Sequence, residues 1–285
     1  MDIGVFQILP DAGADPAKVA KRAEDLGFDS YWVPEHPILP VESSCAYPGG
    51  PPDAPPPDYL WQMPDPFIAL ARASSTTEKI KLGTGICLVP ERNPLLLAKE
   101  VASLDAYSNG RFLFGIGAGW HKEECEIMGG DFDHRWTQTK HSILAMKELW
   151  TKDESEYHGQ YYDFPAVKSF PKPTTKPHPP VIMGGVGSQR VFKRVVEWGD
   201  GWMPLVETVD DIAAGVSALK QYSEEAGRDP DTIDVTAFSL PGQWEKGDDV
   251  KALEQAGANR VVLWLGEGNL DQMMSRMETL AAEML

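Results

Sequence analysis

Short apolar runs alternate with segments of helical spacing along this chain, and one stretch sets the pattern. Ile80-Lys81-Leu82-Gly83-Thr84-Gly85-Ile86-Cys87 is rich in β-formers and turns glycine-rich towards its end. After Val89-Pro90-Glu91-Arg92-Asn93 a helical pattern runs through Pro94 and Leu95 to Tyr107. Ser108-Asn109-Gly110 stops it, and Arg111-Phe112-Leu113-Phe114-Gly115-Ile116-Gly117-Ala118-Gly119-Trp120 reads as the next strand. Asn93 can cap the helix, Pro94 suits its first turn, and Asn109-Gly110 suits the left-handed residue at its end. Strand, helix and strand in that order make one βαβ unit. Both strands are apolar on both faces, as in a parallel sheet covered on both sides. Glycines just past a strand's carboxyl end let a flat ligand approach the backbone.

The same alternation holds throughout. Strands are expected at 3–8, 28–33, 80–87, 111–120, 180–185, 199–205, 233–240 and 260–265. Helices are expected at 16–26, 67–76, 95–107, 122–128, 136–150, 189–198, 209–226, 248–255 and 270–284. Residues 41–66 carry Pro48-Gly49-Gly50-Pro51-Pro52 and Pro55-Pro56-Pro57, a density at which neither strand nor helix survives. Tyr47, Tyr59, Trp61 and Met63 favour a loop that packs as a lid over a pocket. A small hairpin over 157–164 and a proline-rich connector over 171–180 follow. About eight strands alternating with about eight helices point to an α/β fold, the (β/α)₈ TIM barrel, as one domain over 1–285 with inserted loops after the second and fourth strands. A doubly wound open sheet is the alternative. Against it, Leu9-Pro10-Asp11-Ala12-Gly13 stands where a Gly-x-Gly-x-x-Gly would follow the first strand.

Composition narrows the partners. The 285 residues and the 42% apolar share suit one large barrel core. A net charge of −17 argues against nucleic acid or an anionic membrane as partner, and otherwise serves solubility. Cys45, Cys87 and Cys125 are odd in number and lack metal or redox spacing, which fits a reducing cytoplasm. No apolar run reaches the roughly 18 residues of a membrane span, and Met1-Asp2-Ile3-Gly4 shows no leader.

In such a barrel the chemistry gathers at the strand carboxyl ends. Those ends carry Gln7, then Glu35 and His36, then Gly85 to Cys87, then Ala118-Gly119-Trp120-His121, then Met183 to Ser188. The set is rich in glycine and poor in metal ligands, and no metal is expected. His134 and His141, seven apart, read as helix packing. Gly184-Gly185-Val186-Gly187-Ser188 joins a strand to a helix and offers N–H groups at the positive helix end, which is an anion site. Arg190 follows in the first turn, where a cation opposes the dipole, so a bound phosphate would explain it. A solvated glycine turn is the plain alternative. His36 lies between Pro34-Glu35 and Pro37 at a strand end, and can exchange protons near neutral pH. A structural histidine is the plain alternative there.

Four segments together resemble the bacterial-luciferase-like superfamily, and within it the flavin- and deazaflavin-dependent oxidoreductases. They are Gly27-Phe28-Asp29-Ser30-Tyr31-Trp32-Val33-Pro34-Glu35-His36, and Leu82-Gly83-Thr84-Gly85 through Pro94-Leu95-Leu96-Leu97-Ala98-Lys99. The others are Ser108-Asn109-Gly110-Arg111-Phe112 through Gly119-Trp120, and Gly184-Gly185 through Gly199-Asp200-Gly201-Trp202. The resemblance implies a barrel that binds reduced FMN or coenzyme F420 at the strand carboxyl ends, as a homodimer. It implies that Gly85 and Ile86 back the ring, joined by a non-prolyl cis peptide as in the F420-dependent members. Ala118 and Gly119 would line the ring edge, and Met183, Gly184, Gly185, Val186, Gly187 and Ser188 would hold the phosphate. Glu35 and His36 would also touch the cofactor, with His36 at the position of a proton-transfer residue. Gln7, Tyr59, Trp61 and Trp120 would line the substrate pocket.

The chain also departs from the family pattern. Trp120 stands where the sugar-phosphate dehydrogenases of the family carry glutamate, and their tryptophan near Pro40 is missing. A larger, more apolar small-molecule substrate is therefore expected. Leu82-Gly83-Thr84-Gly85 and Gly117-Ala118-Gly119-Trp120 lean towards the F420 group. The expected activity is hydride transfer between coenzyme F420 and an apolar organic substrate. An FMN-dependent monooxygenase using oxygen is one alternative, and a cofactor-binding protein without turnover is another.

Overall fold

The computed structural model describes residues 1–9, 13–48, 56–206 and 208–285. Strands β1 (Asp2–Phe6), β2 (Ser30–Val33), β3 (Lys81–Thr84), β4 (Cys87–Leu88), β5 (Phe112–Gly117), β6 (Ser155–His158), β7 (Asp163–Val167), β8 (Val181–Gly184), β9 (Gly201–Met203), β10 (Asp234–Phe238) and β11 (Arg260–Trp264) occur in that order. β6 and β7 form an antiparallel hairpin outside the main sheet. The rest pair in parallel in the order β1-β2-β3-β5-β8-β9-β10-β11. β11 then pairs back onto β1, from Asp2 opposite Arg260 to Phe6 opposite Trp264. The sheet therefore closes into the expected barrel and has no free edge, which an open sheet would have.

β4 continues β3 along β5. Gly83 lies opposite Leu113 and Cys87 opposite Ile116, so four steps on one strand face three on the other. This is a bulge of one residue, centred on Thr84-Gly85-Ile86. The Gly85–Ile86 peptide is cis, as the resemblance implied.

Helices α1 (Pro16–Leu26), α2 (Pro66–Ser74), α3 (Pro94–Tyr107), α4 (Lys122–Ile127), α5 (Arg135–Thr151), α6 (Gln189–Trp198), α7 (Val209–Ala226), α8 (Gly247–Gln255) and α9 (Leu270–Met284) complete the chain. Their starts follow local chemistry. Asp15 accepts from Ala17 N–H at 3.0 Å, Asn93 from Leu95 N–H at 3.0 Å, and Ser188 from Val191 N–H at 3.3 Å. Asn109 has φ of 58° where α3 turns into β5.

Two apolar clusters fill the molecule. The larger lies between the barrel wall and the helices and holds Val5, Leu82, Phe112, Phe114, Ile143, Trp150 and Trp202. The smaller runs up the barrel interior through Phe6, Trp32, Leu113, Ile182, Met203, Phe238 and Val262. Loop residues Tyr59 and Leu60 join it, and Leu39, Tyr47, Met63, Ile86 and Trp120 pack against it.

The loop of 41–66 is not free of helix. Asp58–Trp61 forms a 3₁₀ turn. It starts just after Pro57, so no proline falls inside it, and the proline argument does not reach it. Residues 49–55 of this loop, and 10–12 after the first strand, lie outside the described residues.

Candidate active site

His36 sits past the end of β2 with its side chain only 9% exposed. Its Nδ1 lies 2.8 Å from Oε2 and 3.1 Å from Oε1 of Glu124. Glu124 is fully buried in the first turn of α4. A carboxyl group on Nδ1 fixes the ring orientation and favours the tautomer whose Nε2 can accept a proton. The Trp120 ring stands edge-on to His36 at 5.8 Å and to Tyr47 at 5.9 Å. Tyr47 in turn shares a hydrogen bond with Tyr59, O to O 3.0 Å. The loop after β2 thus places aromatic side chains over the barrel end beside His36.

A second knot ties that loop down. Ser44 N–H donates to Glu123 Oε1 at 2.9 Å and Cys45 Sγ donates to Glu123 Oε2 at 3.1 Å. The hydrogen bonds from Ser44 and Cys45 hold the Glu123 carboxyl down to about 2. His121 Nδ1 accepts Glu124 N–H at 3.1 Å, so the proton of the neutral ring is on Nε2, which faces Ser43 Oγ at 2.7 Å. Burial lowers His121 against the pull of Glu124 and Glu123, which keeps that neutral form. Cys45, His121 and Glu123 are donor types found in metal sites, and their ligand atoms lie within 4.8 Å of one another. Each is already engaged in these hydrogen bonds, so the cluster is accounted for as a clasp.

Beneath His36 lies a buried charge network. Glu35 is 4% exposed. Its Oε2 accepts Leu88 N–H at 2.7 Å, and its Oε1 accepts Arg92 Nε at 2.7 Å and Arg92 Nη2. Arg92 also reaches Glu100 at 3.2 Å and lies over the Phe67 ring at 5.0 Å. Burial alone would lower Arg92; the Glu35 charge and its hydrogen bonds reverse this and hold it raised. Next to it, Glu91 is 3% exposed and neither carboxyl oxygen has a partner among the described residues. Burial first, then the neighbouring Glu124 and Glu35, push Glu91 up to about 9. A Cβ added at Gly119 would lie 3.0 Å from Glu91 Oε1, so this acid sits against the Gly119 backbone.

The glycines at the strand ends serve packing as well as access. A Cβ at Gly117 would meet Ile86 Cδ1 at 1.9 Å, and one at Gly184 would meet Ile86 Cγ2 at 3.1 Å. The bulge sends the Ile86 side chain across β5 and β8, and those two strands must be bare there. Gly85, Ile86 and Gly119 remain half-buried, while Ala118 is buried at 3%. Past β8, Gly185 is half-buried, and Val186, Gly187 and Ser188 are exposed. Trp202 Nε1 donates to Gly185 O at 2.9 Å and fixes the start of this loop. The first N–H groups of α6, just beyond, have no intrahelical acceptor.

Three expected site residues are placed differently. Gln7 is fully buried; its amide donates to Ala14 O at 2.9 Å and accepts from Tyr31 OH at 2.6 Å, so both its polar ends are taken up internally. Met183 is fully buried in the larger core. Trp61 is 50% exposed and lines a cleft of about 460 Å³ with Leu9, Gly13 and Ala14, a cleft that neither Trp120 nor Tyr59 lines. Glu124, Glu91 and Arg92 had no individual signal in the sequence. An acid in the first turn after a barrel strand is common for the helix dipole alone. Its contact with His36 spans 88 positions.

A closed parallel barrel with a histidine–carboxyl pair and an exposed glycine loop, each past a strand's carboxyl end, has the layout in which barrel enzymes place their sites. The chain belongs to the luciferase-like monooxygenase family, whose model matches residues 9–281. It is 32% identical to an uncharacterized protein of Mycobacterium tuberculosis over 286 aligned positions, covering 100% of this chain and 99% of that one. It is 32% identical over 153 positions to an FMNH₂-dependent dimethylsulfone monooxygenase of Pseudomonas putida, covering 50% of this chain and 42% of that one. Among solved structures, the coenzyme F420-dependent tetrahydromethanopterin reductase of Methanopyrus kandleri superposes with a TM-score of 0.73 at 21% identity, covering 99% and 98% of the two chains. No helix among the described residues is long and apolar enough to cross a membrane.

Proposed function

We propose that this protein is an oxidoreductase that moves a hydride between coenzyme F420 and an apolar organic small molecule at the carboxyl rim of the barrel. The observation that carries this reading is His36, oriented by Glu124 at 2.8 Å and flanked by Trp120, at the rim that also holds Ile86 and the glycine loop. The residues fit the group. Gly85, Ile86 and Gly119 offer a half-buried backbone surface, and the exposed turn from Val186 to Ser188 offers backbone N–H groups at the start of α6 with Arg190 beside them. When bound, the deazaflavin supplies a site that accepts or gives a hydride.

The chain's own residues would then do the rest. Ile86 and Gly85 back the ring. Gly187, Ser188 and the first turn of α6 hold the phosphate. Trp120, Tyr47 and Tyr59 exclude water and favour an apolar substrate. His36 Nε2 takes or gives the substrate proton while Glu124 steadies the imidazole.

An FMN-dependent monooxygenase is the second reading, favoured by the likeness to the FMNH₂-dependent enzyme of Pseudomonas putida. Fluorescence titration of the pure protein with F420 and with FMN decides between them. F420 binding that weakens severely in Gly185→Asp, which puts a carboxylate at an anion site, supports the first. Binding of FMN alone supports the second, and binding of neither removes both.

We further propose a cytoplasmic homodimer. Ile68, Leu95 and Leu96, at the adjoining starts of α2 and α3, are exposed at 71%, 37% and 60% and would be covered by a second copy. Leu96→Glu would then shift the sedimentation of the protein towards the monomer, and an unchanged monomer in both proteins would remove the idea.

A further inference from the structure

Five of the ten arginines form no ion pair among the described residues, in a chain that has carboxylates to spare; Arg111 and Arg228 are satisfied by backbone carbonyls instead, and the other three gather at one rim. The sequence holds 43 acidic and 26 basic side chains. Arg22, Arg72, Arg92, Arg260 and Arg276 all have an acidic partner. Arg135, Arg190 and Arg194 form no ion pair among the described residues. Arg135 opens α5; its Nε donates to Gly119 O at 3.1 Å and its Nη1 to Phe132 O at 2.8 Å, over the Phe132 ring. Arg190 is exposed in the first turn of α6, two residues past the Ser188 cap. Arg194 lies one turn further along the same face and stacks on Trp136 of α5 at 4.7 Å.

These charges are near enough to act on one another. Burial first, then the charges of Arg190 and Arg135, lower Arg194. Farther along the seam between the two helices, Lys140 pairs with Glu197, so ordinary pairing is available there and is withheld at the rim. The cluster also has a defined place. Arg135 is tied to Gly119, beyond β5, and Arg190 follows the glycine loop, beyond β8; β5 and β8 are hydrogen-bonded neighbours. Like charges gathered at a positive helix end are unfavourable until an anion joins them. A guanidinium, with its planar fork of donors, suits carboxylate or phosphate.

We propose that Arg135, Arg190 and Arg194 form a subsite for a second anionic group of the cofactor, carried beyond the phosphate held by the glycine loop. This rests on the cofactor reading above and sharpens it. FMN ends at its phosphate, whereas the side chain of F420 continues past its phosphate into a run of glutamate carboxylates. The subsite therefore selects cofactors with an anionic extension, and it does so away from the reacting ring.

Fluorescence titration tests this without turnover. The probes are F420, the same coenzyme stripped of its glutamates, and FMN. The proteins are the wild type, Arg190→Gln, and Arg190→Gln with Arg194→Gln. Loss of a charge-assisted hydrogen bond corresponds to roughly 10-fold in affinity. The double variant should lose about 10-fold or more for F420, show a shallower salt dependence, and lose clearly less for the stripped coenzyme, which keeps only the phosphate. Arg190 is exposed, so the single variant should fold and show part of the same loss. Equal losses for F420 and the stripped form would overturn the subsite and leave the arginines as phosphate ligands. Unchanged F420 affinity would overturn it as well. Failure of the wild type to bind F420 at all would overturn the cofactor reading and the subsite with it.

Discussion

His36 Nδ1 and Glu124 Oε2 are 2.8 Å apart, although 88 positions separate them in the chain. The pair joins the end of β2 to the first turn of α4 and leaves Nε2 as the only ring nitrogen open to chemistry. His36→Ala should lower turnover by about 10²–10⁴ while cofactor binding survives. Glu124→Gln keeps the shape but removes the charge that steadies a protonated imidazole. Its pH–rate profile should shift relative to the wild type. Full turnover in His36→Ala, or an unmoved profile in Glu124→Gln, would return the pair to a structural role.

Glu91 makes stability depend on pH. Its carboxyl titrates near 9 in the folded protein, against the ordinary value near 4 of the unfolded chain. The unfolded state therefore gives up this proton first. The stability tied to Glu91 is whole below the unfolded value and is lost as pH rises towards about 9. Each pH unit in that window costs about 1.4 kcal/mol. Glu91→Gln stays neutral throughout, so it should gain on the wild type steadily between pH 5 and 9. Urea unfolding at several pH values would show it, and parallel curves for the two proteins would contradict it.

Arg92 offsets the buried Glu35 charge. Removing one partner of a buried pair costs about 3–5 kcal/mol, because the other is left uncompensated. Arg92→Met should destabilise the protein by that order in urea unfolding. Adding Glu35→Gln should recover much of it, since the orphaned charge goes too. A double variant no better than the single would show that Asp65 and Glu100, which Arg92 also contacts, matter more.

Gly117 and Ile86 test the bulge by packing. A Cβ at Gly117 would sit 1.9 Å from Ile86 Cδ1. Overpacking of this kind costs about 1–3 kcal/mol. Gly117→Ala should lower the thermal midpoint, and Ile86→Val, which deletes Cδ1, should restore part of the loss in the double variant. Additive effects would mean that the two side chains do not meet.

The sequence by itself determined the elements and their order. Capping residues such as Asp15, Asn93 and Ser188 act within a turn of their own position, so helix starts were legible without any tertiary contact. Two-sided apolar strands between helices implied a covered parallel sheet, and the family resemblance implied the cis peptide between residues 85 and 86. The short 3₁₀ turn at Asp58–Trp61 was hidden, because the proline density of the loop as a whole says nothing about the proline-free stretch between Pro57 and Pro64. What only the tertiary structure decided is which side chains meet. Glu124 finds His36, Glu91 is left unpartnered beside Gly119, and Arg92 closes on Glu35 through closure of the barrel, which brings distant strand ends to one rim. The same closure took Gln7 and Met183 into the interior, although their positions after strands resemble those of His36 and Gly119. Local spacing fixes the direction a side chain takes from its own strand. Whether that direction ends in solvent, a core or a carboxylate depends on neighbours contributed from elsewhere in the chain.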